Sequence, residues 1–251
     1  MGPDRSRDEE EIAAIKLGLD LRMKLIDTAE MYGAGHSEEL VGQAIQGRRD
    51  EVFVASKVSP SHFSYDSLLR AADNSLKRLG VKKMDLYQLH WPNARIPISE
   101  TMRAMEKIVK DGLVRFIGVS NFSVEQMREA QESLSREKIV SNQVEYSLID
   151  RSPEARVLPF CRQENITLIA YSPLGQGRIP KGKGGAFKVL DKVADTLGRT
   201  RNEVALNWLL RDQSVVVIPK AVEKEHLQQN AQVPEWRLAP EDCALLGKAF
   251  S

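Results

Sequence analysis

Short runs of apolar and β-branched residues alternate along the chain with segments in which apolar residues recur every three or four positions. Ahead of the first run, Ile12, Ile15 and Leu19 recur with a helical period, so residues 8–21 are predicted to form a helix. The runs themselves are apolar at almost every position, which is typical of parallel strands buried on both faces. The predicted strands are residues 24–28, 52–57, 86–90, 116–120, 141–146, 168–172 and 215–219.

Helix starts between these strands are marked by residue pairs with the spacing of a capping box, a reciprocal side chain–backbone bond at the first turn. The pairs are Ser6 with Glu9, Ser123 with Gln126, and Thr200 with Glu203. Strands alternating with helices over 251 residues predict one α/β domain, residues 1–251, of the (β/α)8 TIM-barrel type. Seven parallel strands can be recognised.

The amino-acid composition argues against several classes of protein. The 36 basic and 35 acidic residues nearly cancel, which argues against a nucleic-acid partner. Two cysteines, Cys161 and Cys243, give neither a disulfide framework nor a metal site, and so indicate a reduced, cytoplasmic compartment. No apolar run reaches the roughly 18 residues of a membrane span. The absence of a Gly-x-Gly-x-x-Gly motif leaves a Rossmann fold without support.

Polar residues stand where successive apolar strands end. Asp27, Lys57 and His90 each close a predicted strand, and Tyr32 lies in the loop after the first of them. Because the carboxyl ends of parallel barrel strands meet at one face, these four side chains predict a site there. Three of them also have a structural interpretation when taken singly: a turn or cap for Asp27, packing for Tyr32, and a structural role for His90.

The chain resembles the aldo-keto reductase superfamily, in particular its prokaryotic-type members. The resemblance rests on residues 26–33, Lys57, and residues 89–92, 118–122, 142–146, 170–175 and 218–220, which occur in family order. It implies a (β/α)8 barrel. Family members usually begin with a hairpin and a first barrel strand, and neither is visible here. The barrel is therefore expected to lack its first strand and to expose edges at 24–28 and 215–219, through which self-association is predicted. Three explanations stay open: the chain is truncated at its N-terminus, the barrel closes differently, or a second chain fills the gap.

The resemblance also implies NAD(P)H-dependent reduction of aldehydes or ketones to alcohols. A nicotinamide must supply the hydride, since no side chain can. Tyr32 would act as the proton donor. A free phenol has a pKa near 10, so its anion is costly at neutral pH, and the Lys57 ammonium would stabilise it. Asp27 would pair with Lys57, and His90 would orient the carbonyl.

Cofactor positions follow from the same resemblance. Those matching the nicotinamide site are Ser120, Asn121 and Gln143, for the carboxamide, and Tyr171, for stacking on the ring; those that begin the pyrophosphate loop are Ser172, Leu174 and Gln176. Two alternatives stay open. Ser120-Asn121 could cap a helix, and Tyr171 could pack within the barrel.

The adenosine end of the cofactor site departs from the family pattern. Lys220 matches the lysine near the 2′-phosphate and Asn230 the asparagine at adenine, but His226 replaces a common arginine and Gln229 a common glutamate. A neutral histidine binds a phosphate dianion less well than a bidentate arginine. We therefore expect NADPH as cofactor, with reduced discrimination against NADH. Alternatively, His226 simply lies on the exposed face of the last helix.

Met31 and Trp91 are the candidate apolar walls of a substrate pocket, and an open pocket suits broad acceptance of small carbonyl compounds. Two competing interpretations remain. In one, the missing strand leaves a non-catalytic barrel that binds nicotinamide weakly or self-assembles through its open edges. In the other, the scaffold is a nicotinamide-binding regulatory subunit. The intact set of four polar residues favours catalysis, and the missing strand disfavours it.

Overall fold

The computed structural model of the protein describes residues 5–251, and their helices and strands follow the predicted alternation. The strands are β1 (Leu25–Asp27), β2 (Phe53–Val58), β3 (Met84–Leu89), β4 (Val114–Ser120), β5 (Ile139–Glu145), β6 (Thr167–Tyr171) and β7 (Val215–Val217). The helices are α1 (Asp8–Asp20), α2 (His36–Ala44), α3 (Tyr65–Leu79), α4 (Ile98–Lys110), α5 (Val124–Glu132), α6 (Val157–Gln163), α7 (Arg178–Lys181), α8 (Gly185–Leu197), α9 (Arg201–Leu209), α10 (Lys224–Gln232) and α11 (Pro240–Ala249). Each predicted strand is present, with its ends within two residues of the predicted ones.

The chain divides into two compact units, Met1–Asn142 and Gln143–Ser251, and β5 contains the boundary. In the first unit, β1, β2, β3 and β4 pair in chain order, and every pair is parallel. The register places Lys57 opposite Gln88, and Gln88 opposite Gly118. These three positions therefore form one row across the sheet, and their side chains share one face.

Helix α3 shows how the first unit is packed. Its apolar residues Leu68, Ala72, Leu76 and Leu79 recur on one side, as the helical period predicts, and all four are buried. The helix ends at Gly80, which adopts the left-handed conformation with φ of 63° that glycine tolerates best.

In the second unit, β6 pairs with β7 in parallel. A separate apolar core surrounds the buried Trp208 of α9, whose indole Nε1 donates a hydrogen bond to the Cys243 carbonyl at 3.0 Å. Within residues 5–251, no helix has the length and apolar character needed to cross a bilayer.

The capping-box prediction is confirmed at two of its three places. Reciprocal bonds join Ser123 to Gln126 at the start of α5, and Thr200 to Glu203 at the start of α9. The prediction for Ser6 is wrong, because α1 begins at Asp8 with Arg7 at the capping position and no capping side-chain bond. The four acidic residues 8–11 fill the first turn, where negative charge stabilises the positive end of the helix dipole.

Candidate active site

The buried ammonium of Lys57 is the centre of the candidate site in the first unit. The side chain points from β2 and is fully buried. Its Nζ donates hydrogen bonds to Asp27 Oδ2 at 2.5 Å, to the Thr28 carbonyl at 2.9 Å and to the Tyr32 hydroxyl at 3.3 Å. An ammonium has three N–H donors, so each has a partner. A buried charge is tolerated when it is paired and hydrogen-bonded in this way.

Tyr32 reaches this ammonium from a tightly wound loop between β1 and α2. Three consecutive residues, Gly33, Ala34 and Gly35, have positive φ angles of 59°, 53° and 94°. Left-handed backbone is uncommon for alanine, and such strain concentrates at functional sites. A Cβ at position 35 would lie 2.6 Å from Arg78 Cδ, so the Arg78 side chain would have to move away from its bond with Glu38.

The imidazole of His90 lies directly after β3 and is almost fully buried. Its ring stacks on Trp91 with centroids 4.2 Å apart, and the Tyr32 ring meets it edge-on at 5.5 Å. Burial, together with the positive charge of Lys57, lowers the pKa of His90 to about 3. The ring is therefore neutral at physiological pH. Its Nδ1 is buried and has no hydrogen-bond partner among residues 5–251.

The structure thus brings the four predicted polar residues together: Asp27, Lys57 and His90 at or next to the ends of consecutive strands, and Tyr32 in the loop after β1. Beside them, Met31, Tyr32 and Trp91 expose 48%, 37% and 43% of their surface. Large apolar side chains are seldom this exposed in clusters unless they form a binding surface. The assignment of Met31 and Trp91 to the walls of a substrate pocket stays a prediction.

Ser120 and Asn121 lie at the end of β4, next to His90. Ser120 is buried, and the Asn121 amide donates to Ser120 Oγ at 3.0 Å and to the His90 carbonyl at 3.3 Å. Asn121 adopts a left-handed φ of 61°, another strained position at a strand end. The alternative that this pair caps a helix is wrong, because α5 begins at Val124 and is capped by Ser123.

Sequence reasoning missed two polar residues that touch this site. Gln88 is fully buried within β3, and its amide donates to Asp27 Oδ1 at 3.4 Å. Glu30 accepts from the Ser59 backbone at 2.5 Å and lies 2.9 Å from His62 Nδ1, which ties the Tyr32 loop to the segment after β2. Gln88 had one signal in the sequence, since it is a polar residue in the interior of the predicted strand 86–90. Glu30 had none.

The second unit carries the remaining predicted cofactor residues. Gln143 is buried on β5, Tyr171 ends β6 half-buried, and Leu174 is also half-buried. Ser172 and Gln176 both adopt left-handed φ angles, of 48° and 55°. Gln176 also lines an open groove of about 490 Å³. The other residues that line this groove are Ile149, Gly177, Arg178, Lys181, Gly182 and Phe187.

The adenosine-end candidates lie around α10. Lys220 is exposed in the segment after β7, and His226, Gln229 and Asn230 share one face of α10 because their spacing is three and four residues. The His226 ring is half-exposed, and its Nδ1 lies 3.6 Å from a Glu223 carboxylate oxygen. His226 thus lies on an exposed helix face, which leaves the ring accessible to a ligand. The prediction that this is the last helix is wrong, because α11 follows α10.

Comparison with known proteins identifies the scaffold. The model of the Aldo/keto reductase family matches residues 1–249. The chain belongs to the aldo/keto reductase family. It is 39% identical over 253 residues to methylglyoxal reductase YeaE of Escherichia coli (strain K12), and the match covers 100% of this chain and 88% of the relative. It is 36% identical over 233 residues to the glyoxal reductase of Bacillus subtilis (strain 168), with 92% and 78% covered.

Solved structures of aldo-keto reductases have the same fold. The thermostable aldo-keto reductase Tm1743, in complex with the inhibitor epalrestat, superposes with a TM-score of 0.94 at 44% identity, covering 99% of this chain and 90% of that one. An aldo-keto reductase from Klebsiella pneumoniae in complex with NADPH gives 0.93 at 38% identity, with 100% and 88% covered. The predicted family, oxidoreductase class and (β/α)8 fold class are confirmed, with seven strands of that fold in residues 5–251.

Proposed function

We propose that the protein is an NADPH-dependent reductase that converts small aldehydes or ketones to alcohols. The observation that carries the proposal is the Lys57 ammonium, which is held by Asp27 and donates to the Tyr32 hydroxyl at 3.3 Å. A phenol with a buried cation at its oxygen is prepared to give up a proton. Structural packing alone does not require this arrangement, because an apolar side chain would fill the same space without the cost of removing a charge from water.

The residues present fit a nicotinamide nucleotide. In the first unit, the left-handed strand-end residue Asn121 carries a polar side chain that suits the nicotinamide carboxamide. The groove of the second unit is lined by two cations, Arg178 and Lys181, that suit a pyrophosphate. Ser120, Asn121, Gln143 and Tyr171 would hold the nicotinamide end, and Ser172, Leu174, Gln176, Lys220, His226, Gln229 and Asn230 the remainder. When bound, the nicotinamide supplies the hydride.

The chain's own contribution is the proton. As negative charge develops on the substrate oxygen, Tyr32 transfers its hydroxyl proton to it. The adjacent Lys57 ammonium stabilises the charge left on the phenol oxygen, and Asp27 with the Thr28 carbonyl keeps that ammonium in place. Proton transfer by a positioned group of this kind contributes roughly 10²–10⁴-fold in rate.

His90 orients the substrate as a neutral hydrogen-bond donor. With its pKa at about 3, the ring carries one proton at neutral pH. A buried N–H without a partner is rarer in proteins than an unpaired acceptor. Because Nδ1 is buried without a partner among the described residues, the proton belongs on Nε2. The Nε2–H group then donates to the carbonyl oxygen and cannot compete with Tyr32 as an acid.

The substrate class is a small carbonyl compound flanked by the exposed Met31 and Trp91. Two relatives are named for methylglyoxal and glyoxal, so 2-oxoaldehydes are the first substrates to test. At the adenosine end, His226 with Glu223 nearby presents less positive charge than an arginine would, which supports NADPH use with weak discrimination against NADH.

Two measurements on the purified protein test this function. NADPH is titrated while protein fluorescence is followed, and NADPH oxidation is then measured with methylglyoxal, glyoxal and a simple aldehyde. Saturable binding with turnover of at least one compound is the expected result. Binding without any turnover would favour the regulatory-subunit alternative, and no binding by folded protein would contradict the proposal. Self-association through strand edges stays a prediction, which sedimentation of the same sample tests.

A further inference from the structure

A buried amide supports the carboxylate that holds Lys57. We propose that Gln88 is a positioning residue for the reduction: it fixes the orientation of Asp27, and through it the contact between Lys57 and Tyr32. This inference rests on the proposed function and adds to it a residue that acts on catalysis through another side chain. In this arrangement a buried residue inside the sheet, Gln88, helps to set the position of the proton donor, Tyr32.

The strand register places the amide where it can act. Gln88 is opposite Lys57 on one side and opposite Gly118 on the other, so its side chain extends over the same face of the sheet as the ammonium. Gln88 is completely buried there. A buried amide must be hydrogen-bonded, because losing water without a replacement partner is unfavourable.

Both ends of the amide have partners, and the partners fix its direction. Its Nε2 donates to Asp27 Oδ1 at 3.4 Å, and its Oε1 accepts from Ser141 Oγ at 3.4 Å. An amide turned the other way would point its oxygen at the Asp27 carboxylate, so this orientation is the favourable one. The other Asp27 oxygen, Oδ2, accepts from Lys57 Nζ at 2.5 Å. The carboxylate is thus held by a donor at each oxygen.

Gly118 keeps the space that this chain of bonds occupies. A Cβ at position 118 would lie 2.9 Å from Gln88 Cγ and 3.1 Å from Leu86 Cδ1, and closer still to Ser141 Oγ. The glycine is not at a left-handed position, so its role here is space rather than backbone conformation. Any larger residue would push the amide and the serine away from the contacts they make.

The consequence for catalysis lies in the chemical step. If Asp27 loses the Gln88 donor, its carboxylate loses the hydrogen bond at Oδ1 and can change its orientation. Lys57 Nζ then follows Oδ2, and its already long contact of 3.3 Å with the Tyr32 hydroxyl is the one that changes. The Gln88 amide bonds to Asp27 and Ser141, and neither belongs to the exposed pocket wall or to the predicted cofactor residues. Substrate and cofactor binding should therefore stay as they are.

The first test replaces the amide while keeping the side-chain length. Gln88→Met removes both bonds, and Gln88→Glu keeps the shape but places a second carboxylate against Asp27. We expect Gln88→Met to lower kcat about tenfold, which corresponds to the loss of one hydrogen bond to a charged group. The KM for substrate and the Kd for NADPH should stay close to those of the wild-type protein. Gln88→Glu should lower kcat at least as far.

A matched control uses another glutamine of the same unit. Gln131 on α5 also bonds at both ends of its amide, to the Glu137 carbonyl at 3.2 Å and from the Ile139 backbone at 3.0 Å. Gln131→Met should lower thermal stability and leave kcat unchanged. Should Gln88→Met fail to fold, Ser141→Ala decides, because it removes the bond at the other end of the amide without adding volume. It should lower kcat about threefold, within the modest net value of one neutral hydrogen bond.

A double-mutant cycle separates positioning from packing. In the Asp27→Asn background the carboxylate is already lost, so adding Gln88→Met should change kcat little more. A further tenfold loss in that background would overturn the inference, as would wild-type kcat in a folded Gln88→Met or Ser141→Ala protein. Failure of the proposed function looks different: Asp27→Asn itself would then retain kcat. The two failures are therefore distinguishable in one set of variants.

Discussion

The Lys57 ammonium donates a hydrogen bond to the Tyr32 hydroxyl at 3.3 Å, and the same nitrogen lies 4.9 Å from the centre of the Tyr32 ring. The Lys57 side chain is fully buried. The attraction between its ammonium and the phenol oxygen is therefore stronger than the attraction between the same two groups in water. In the proposed mechanism, proton transfer from Tyr32 depends on that contact. Substitutions at this contact should therefore change turnover.

Replacing Lys57 with an uncharged side chain should abolish most turnover. We expect Lys57→Met to lower kcat by roughly 10²–10⁴-fold, because the charge that stabilises the phenolate is gone. Lys57→Arg should recover little, since a planar guanidinium cannot reproduce three bonds from one nitrogen. Steady-state kinetics measure both, with thermal melting to confirm folding. Turnover within a few-fold of wild type in folded Lys57→Met would contradict the role.

The His90 imidazole should make the fold sensitive to acid. Its pKa is lowered from 6.5 to about 3 by burial and by Lys57, so the unfolded chain binds a proton that the folded protein does not between those values. Stability should then fall by about 1.4 kcal/mol for each pH unit from 6.5 down to about 3, and this group should add no pH dependence outside that window. Urea unfolding at several pH values, with His90→Gln as the comparison, checks this. An equal acid sensitivity in both proteins would refute it.

The sequence indicated most of the first unit's site because strand ends are readable. Asp27, Lys57 and His90 close apolar runs, and the carboxyl ends of parallel strands necessarily meet. Gln88 could not be found in this way, since its partners are 61 and 53 residues distant and one of them is a serine within another strand. The left-handed conformations of Ala34, Asn121, Ser172 and Gln176 were also unpredictable, because no local pattern of non-glycine residues marks them.

The loop that carries Tyr32 should be intolerant of added volume at Gly35. Gly35→Ala forces a side chain into the left-handed region and against Arg78, whereas Gly47→Ala meets the same backbone penalty at φ of 78° with nothing within 4 Å. We expect Gly47→Ala to cost about 1–2 kcal/mol of stability with unchanged kcat. Gly35→Ala should cost more and also lower kcat. Equal effects of both changes, measured by unfolding and by kinetics, would show that the Arg78 contact is unimportant.

Cofactor preference should depend on His226. Changing it to arginine adds a permanent charge and a bidentate donor, so His226→Arg should raise the NADPH-to-NADH ratio of kcat/KM by about tenfold, mainly through a lower KM for NADPH. Glu223→Gln removes the neighbouring carboxylate and should shift the ratio in the same direction by less. A wild-type preference for NADH, or no response to His226→Arg, would overturn the assignment of this face of α10 to the 2′-phosphate.

The most direct test of the central claim is the Tyr32→Phe variant. The change removes only the hydroxyl that receives the Lys57 bond and keeps the ring that meets His90 edge-on. We predict that NADPH binding, followed by fluorescence titration, stays close to that of the unchanged protein, while turnover falls at least a hundredfold, on the order expected for loss of a positioned acid. Turnover retained by folded Tyr32→Phe protein with normal NADPH binding would show that the proton comes from elsewhere, and Tyr32 would not be the acid.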